Sequence, residues 1–146
     1  MFNRPFCILA LSALLATPAM AEVHEVRMLN RGAAGAMIYE PDFLRVAPGD
    51  TVKFIATHRT HNAASLPGLL PEGAKPFKGK IDEEIEVGFD VPGYYGVQCI
   101  PHIGMGMVML IQVGEPASPL PVLPETLPQR AAERFGEIIA RESLAK

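Results

Sequence analysis

Cys99, His102 and Met107 stand at C-x2-H-x4-M spacing within Tyr94 to Val113, and a second imidazole, His61, lies upstream in Thr60-His61-Asn62. Two imidazole nitrogens, one thiolate and one weak thioether form the donor set of a blue-copper electron-transfer site. The thioether decides the metal, because zinc and magnesium make little use of it, whereas thiolate and thioether together select copper. The short spacing lets a tight loop bring Cys99 and His102 to one ion, and Pro101 stiffens that loop. Gly104 and Gly106 let the chain double back so that Met107 reaches an axial position. Four protein donors leave no open coordination position, which points to electron transfer and away from substrate turnover. On this reading the protein is not an enzyme.

Each of these residues also has an ordinary reading. A lone His61 is more often a hydrogen-bonded loop histidine, and a lone Met107 is more often core. Met105 competes for the axial position at C-x2-H-x2-M spacing, although Met107 keeps the parity of the strand that follows. His58 and His61 form an H-x2-H pair that could bind zinc, but no second pair stands nearby. His58 and His24 are therefore expected to be exposed loop residues. Glu22-Val23-His24 at a free amino terminus would offer an adventitious copper(II) site.

The elements that must position these groups begin after a leader. Arg4, the apolar run Phe6 to Ala16 and the small-x-small triplet Ala19-Met20-Ala21 predict a secretory signal over residues 1–21, and the run is short for a bilayer span. The mature chain, 22–146, then keeps one thiol, Cys99, in an oxidising compartment, where an unoccupied thiol is a hazard. About half the chain is apolar and a fifth is charged, which suits one small globular domain.

Residues from about 22 to 114 read as short alternating strands broken by Gly and Pro, the pattern of an all-β sandwich. Val26 and Met28 share one face of the first strand, with Glu25, Arg27 and Leu29 on the other, and Arg31 to Gly35 follows as a loop. Extended pieces flank Pro41, and Pro48-Gly49-Asp50 is a turn. The alternating strand after it delivers the chain to His58 and His61. Leu66 to Lys80 is predicted to be a long loop, Ile85, Val87 and Phe89 a strand with a polar outer face, and Tyr95, Val97 and Cys99 a strand that points the thiol inward. Met107 to Val113 closes a sandwich of two packed antiparallel sheets with Greek-key connections. Residues from about 115 to 146 form a Pro-rich linker and a helical tail, with Ala132, Phe135, Ile138 and Ile139 as its apolar stripe and Glu137 with Arg141 as an i,i+4 pair.

With HEVRMLN, PGDTVKFI, THN, LPEGAKPFKGKI, PGYYGVQC and CIPHIGMGM in hand, the mature chain resembles the pseudoazurins, periplasmic members of the cupredoxins, over nearly its whole length. The resemblance implies a Greek-key cupredoxin β-sandwich with two helical segments in the tail, one type 1 copper ion, and His61, Cys99, His102 and Met107 as its ligands. It also implies that Asn62 ties the His61 loop to the Cys99 loop and donates toward the sulfur. The implied partners are a copper nitrite reductase or a c-type cytochrome, met by transient docking in the periplasm. Three residues depart from the family pattern: Ile100 stands where Thr usually follows the ligand Cys, Ile103 where Tyr follows the ligand His, and Gln98 where Lys is common.

Docking is expected around His102, on an apolar patch of Met37, Pro101, Ile103 and Met105 rimmed by Arg31, Arg59, Lys78 and Lys80. Losing Arg4 with the leader leaves 12 Lys+Arg against 16 Asp+Glu, a net of −4, so the basic rim sits on an acidic protein. Neither nucleic acid nor membrane is an expected partner of the mature chain, and a monomer is expected. The alternative function is a periplasmic copper chaperone or store, which would call for a labile, exposed Met/His site without the thiolate.

Overall fold

The computed structural model describes residues 20–116 and 120–143. Most of the expected leader and the end of the tail fall outside them. Eight strands run in chain order: β1 (Val23–Gly32), β2 (Gly35–Glu40), β3 (Phe43–Val46), β4 (Asp50–Ile55), β5 (Ala64–Ser65), β6 (Ile85–Phe89), β7 (Gly93–Gln98) and β8 (Val108–Val113). A short 3-10 helix, Ile100–Met105, joins β7 to β8, and one α-helix, α1 (Gln129–Ser143), follows.

The strands form two four-stranded sheets, in the orders β2-β1-β4-β6 and β3-β8-β7-β5. The expected sandwich is present, but neither sheet is purely antiparallel: β1 pairs with β4, and β3 with β8, in parallel. Such pairs need long crossovers, and here the chain supplies them by passing through the other strands. The expected loop at Arg31 to Gly35 shrinks to a two-residue turn, because Gly32 pairs with Gly35 across a β1–β2 hairpin. Leu29, placed on the polar face by alternation, is buried beside its cross-strand partner Ile38.

Alternation determines what fills the middle. Val26, Met28, Val52, Phe54 and Phe89 from one sheet meet Tyr95, Val97, Met109, Ile111 and Val113 from the other, with Cys99 and Met107 in the same cluster. A run of ring contacts, Tyr39–Phe54, Phe54–Phe77, Phe77–Phe89 and Phe89–Tyr95, crosses this layer at centroid separations of 4.9 to 6.1 Å. Offset and edge-on pairs of this kind are favoured by the ring quadrupoles.

Every residue of β8 is buried, because α1 covers the face that points away from the sandwich. Val108 and Leu110 pack there against Ala131, Phe135 and Ile138. The helix stripe thus begins at Ala131, with Ala132 only half-buried, one position from the expected start. A single helix is present among the described residues of the tail, where two segments were implied. Glu137 pairs with Arg130 and Arg134, while Arg141 reaches Asp42 at 2.6 Å and Glu142 at 3.1 Å, so the expected Glu137–Arg141 pair is replaced. No helix among the described residues is long and apolar enough to cross a membrane.

His24 is not an exposed loop residue. It lies in β1, half-buried, with Nε2 2.9 Å from Oδ2 of Asp50. The N–H groups of Glu22 and Ala47 also donate to the Asp50 carboxylate, each at 2.9 Å. The Glu22 N–H, the His24 ring and the Ala47 N–H together bring the Asp50 carboxyl down to about 2. A depressed carboxyl stabilises the fold fully above its unfolded value of about 3.9 and loses that contribution as pH falls through the folded value. The unfolding free-energy gap between wild type and Asp50→Asn is therefore expected to be constant from about pH 5 to about pH 7 and to shrink towards pH 2. Denaturant titrations across that range measure it.

Candidate metal centre

The β4 strand ends at Ile55 and releases a loop that is clasped at both ends. The His58 N–H donates to the Met28 carbonyl at 3.1 Å, and the His58 Nδ1 accepts the Asn30 N–H at 2.9 Å. His58 is accordingly half-buried and tied to β1, not exposed. Met28 and Asn30, two residues apart on β1, turn their main-chain groups to the same edge of the strand, the one His58 lies against. Further along, Thr60 adopts φ 79, costly for a β-branched residue. Asp82 holds it there, accepting the Thr60 N–H at 2.6 Å and donating its own N–H to the His61 carbonyl at 2.8 Å.

That clasp presents His61 fully buried. Its Nε2 lies 2.7 Å from Oδ1 of Asn30, an acceptor, so the ring proton sits on Nε2 and the Nδ1 lone pair faces inward. Burial, then the nearby imidazoles of His102 and His58, push the His61 pKa down and keep the ring in its neutral donor form.

Cys99 follows β7 with its sulfur inward and fully buried, as parity required. Burial pushes the Cys99 thiol pKa up, while the main-chain N–H groups of Asn62 and His102 pull against that by donating to the sulfur. Asn62 does tie the two loops together. Its Oδ1 accepts the Ile100 N–H at 2.9 Å and its Nδ2 donates to the Gly79 carbonyl at 3.0 Å. Its gift to the sulfur comes from the main chain.

The 3-10 turn then brings His102 back. Its Nδ1 lies 3.5 Å from the Cys99 sulfur and 3.1 Å from Nδ1 of His61, and the His61 Nδ1 lies 3.8 Å from the sulfur. Three donor atoms thus converge within 4.8 Å of one another, two of them on buried side chains. Two imidazole lone pairs and a buried thiol at one point, with no carboxylate among them, fit a soft or borderline metal ion. His58 is turned away to Asn30 and His24 to Asp50, so neither joins the cluster.

The return of the chain also bears on the two methionines. The Met107 N–H donates to the His102 carbonyl at 3.2 Å, and its carbonyl accepts the Cys99 N–H at 3.0 Å. Met107 is fully buried in the cluster that contains Cys99, whereas Met105 is 52% exposed. Gly106 makes the reversal possible. It has φ 83, and a Cβ there would lie 2.9 Å from Cγ of Arg130 and 3.1 Å from its carbonyl oxygen. The first turn of α1 is therefore pressed against the loop that bears His102.

Asn30 and Asp82 were not found in the sequence, since both act from distant segments and carry no spacing signal. Asn30 fixes the His61 tautomer, and such outer partners are worth about 10- to 100-fold in metal affinity. Asn30→Ala is expected to weaken copper binding by that order while leaving the fold intact, as read by competition with a chelator and by circular dichroism.

Residues 26–114 match the family model of copper binding proteins, plastocyanin/azurin family. The Paracoccus pantotrophus pseudoazurin is 43% identical over 143 residues, covering 97% of this chain and 99% of that one. A Rhizobium leguminosarum bv. viciae relative, provisionally named a pseudoazurin, is 47% identical over 137 residues, 92% of this chain and 90% of that one. The structure of a Sinorhizobium pseudoazurin superposes with a TM-score of 0.78 at 45% identity, covering 82% of this chain and 95% of that one. With its copper-type donor cluster carried on the same sandwich, the chain belongs to the copper-binding plastocyanin/azurin family and, within it, to the pseudoazurins.

Proposed function

We propose that His61, Cys99, His102 and Met107 hold one copper ion, and that the protein carries single electrons between redox proteins of the periplasm, a copper nitrite reductase or a c-type cytochrome among them. Copper bound there supplies a one-electron couple between its cupric and cuprous states. The residues supply a cage that does not need to move: His61 is locked by Asn30, and Cys99 and Met107 are pinned by main-chain bonds in the core. Met107 is favoured over Met105 because its side chain is fully buried in the core cluster that contains Cys99, whereas Met105 is exposed.

The observation that carries the reading is the uneven exposure of the donors. His61, Cys99 and Met107 are fully buried, while His102 is half-buried in a loop whose Ile100, Pro101 and Met105 are exposed. An electron would enter and leave through His102, and the exposed apolar residues exclude water from a brief contact. Ile100 adds to the patch expected at Met37, Pro101, Ile103 and Met105, of which Met37 and Ile103 are only half-buried. A chaperone or store is disfavoured by the same burial, since a closed thiolate site would release its ion slowly. Closed coordination likewise supports a carrier over an enzyme.

Arg31, Arg59, Lys78 and Lys80 are all exposed. Arg59 stands 3.6 Å from Asp82, an exposed pair that leaves most of its charge available to a partner. Rim charges act mainly on association rate. Stopped-flow mixing of reduced protein with an acidic partner is expected to show a second-order rate that falls with ionic strength and falls several-fold in Arg59→Glu/Lys78→Glu at low salt. An unchanged rate would assign docking to the apolar patch alone.

A further inference from the structure

We infer that Asp50 is a socket for the α-ammonium group of the matured chain, released by cleavage between Ala21 and Glu22. The inference does not rest on copper. It joins the Ala19-Met20-Ala21 cleavage pattern to an independent feature of the fold, the place where the chain becomes tied down.

Met20, Ala21 and Glu22 are exposed, yet the main chain of Glu22 is held on both sides of its residue. Its nitrogen lies 2.9 Å from Oδ1 of Asp50, and its carbonyl accepts the Thr51 N–H at 2.9 Å. From Val23 onwards β1 pairs with β4. The socket is built from a carboxylate that is only 5% exposed and is fixed by the Pro48-Gly49 turn. Oδ2 accepts the Ala47 N–H at 2.9 Å and lies 2.9 Å from Nε2 of His24. The Asp50 N–H closes the same turn on the Ala47 carbonyl at 3.0 Å.

Cleavage at that peptide bond replaces an amide N–H by an ammonium at an atom already in contact with a buried carboxylate. Water adds across the bond, the carboxyl leaves with Ala21, and the amine of Glu22 takes up a proton. The contact changes from an amide N–H donating to a carboxylate into an ion pair between an ammonium and that carboxylate, which adds Coulombic attraction to the hydrogen bond. Asp50 faces the amine directly and His24 faces the same carboxylate, with the carboxylate of Glu22 on the same residue and the cross-strand neighbours Glu25 and Lys53 further along β1 and β4. Of these Asp50 makes the direct contact and sets the sign. Asp50 holds the amine through Oδ1 and the His24 Nε2 through Oδ2, so a copper(II) site at Glu22-Val23-His24 would have to displace the amine from the carboxylate.

An amine that gains a carboxylate partner has its pKa raised, so its stabilisation is present below the ordinary α-amino value of about 7.7–8.0 and is lost as pH rises through the raised value. The test uses copper-loaded mature protein from an export host, with mass spectrometry identifying its first residue and NMR titrating the Glu22 amine. The expected results are a chain starting at Glu22 and an amine pKa at least one unit above the ordinary value, a tenfold change in proton affinity. That rise is expected to disappear in Asp50→Asn. A chain extended by Met20 and Ala21 keeps the amide contact without the charge. It is expected to unfold at a lower temperature than the mature chain at pH 7 and at the same temperature above about pH 10. An amine that titrates in the ordinary range, a different first residue, or equal unfolding temperatures at pH 7 would overturn the proposal. The extended chain and the wild-type titration decide it even if Asp50→Asn does not fold. The copper spectrum is expected to be the same in all these proteins, so the outcome is independent of the metal centre.

Discussion

Cys99→Ala is expected to abolish the intense visible absorption of the copper-loaded protein and to lower copper affinity by more than about 100-fold, beyond what loss of an outer partner costs. The colour of such a centre comes from the thiolate, and no other residue can stand in. Cys99 is the free thiol among the described residues, and the other proposed donors are two imidazole nitrogens and a thioether. The fold is expected to survive, because Ala fills most of the buried volume and the main chain of residue 99 still donates to the Met107 carbonyl. Met107→Leu is expected to behave differently, retaining copper and colour while shifting the reduction potential, since a thioether would be the weakest of the four donors. Visible and EPR spectra with voltammetry separate the two. A larger shift in Met105→Leu than in Met107→Leu would contradict the assignment of Met107.

Phe135→Ala is expected to cost about 3–5 kcal/mol of stability, the range for truncating a buried aromatic side chain. Phe135 is fully buried between α1 and the outer face of β8, with Val108, Leu110 and Ile138 around it and Ile103 packed against the same cluster. The effect reaches the site by a physical route. Arg130 on the first turn of α1 lies against Gly106, and Ile103 and Gly106 belong to the loop that bears His102. Loosening the helix is therefore expected to broaden the His102 ring signals in NMR while leaving those of His61 sharp, because His61 is held from the other side by Asn30. Denaturant unfolding gives the first number. A loss below about 1 kcal/mol would mean that the helix is merely laid on the sheet.

The parts of the site that were legible in the sequence are those fixed by local spacing. Cys99, His102 and Met107 lie within nine residues, and strand parity from Tyr95 was enough to turn the thiol inward. His61 was legible only as part of a donor set. The groups that hold it were not, because Asn30 and Asp82 come from β1 and from the segment before β6. The fold class was readable from alternation and turn residues, but strand order was not. Period-2 patterns are the same in parallel and antiparallel pairs, so the β1–β4 and β3–β8 pairings left no mark. β8 reads as a continuous apolar run because a helix covers its second face, a fact that belongs to tertiary packing. The sequence makes His24 and His58 look like exposed histidines for the same reason. Their partners, Asp50 and Asn30, are 26 and 28 residues away.

The most direct test of the central claim is a copper titration of the metal-free protein followed by visible and EPR spectroscopy of the oxidised form. Binding at His61, Cys99, His102 and Met107 predicts saturation at one ion per chain. It also predicts an intense thiolate-to-copper band that bleaches on one-electron reduction and returns on reoxidation. A complex that stays colourless in the presence of copper(II), or a band that persists in Cys99→Ala, would contradict it.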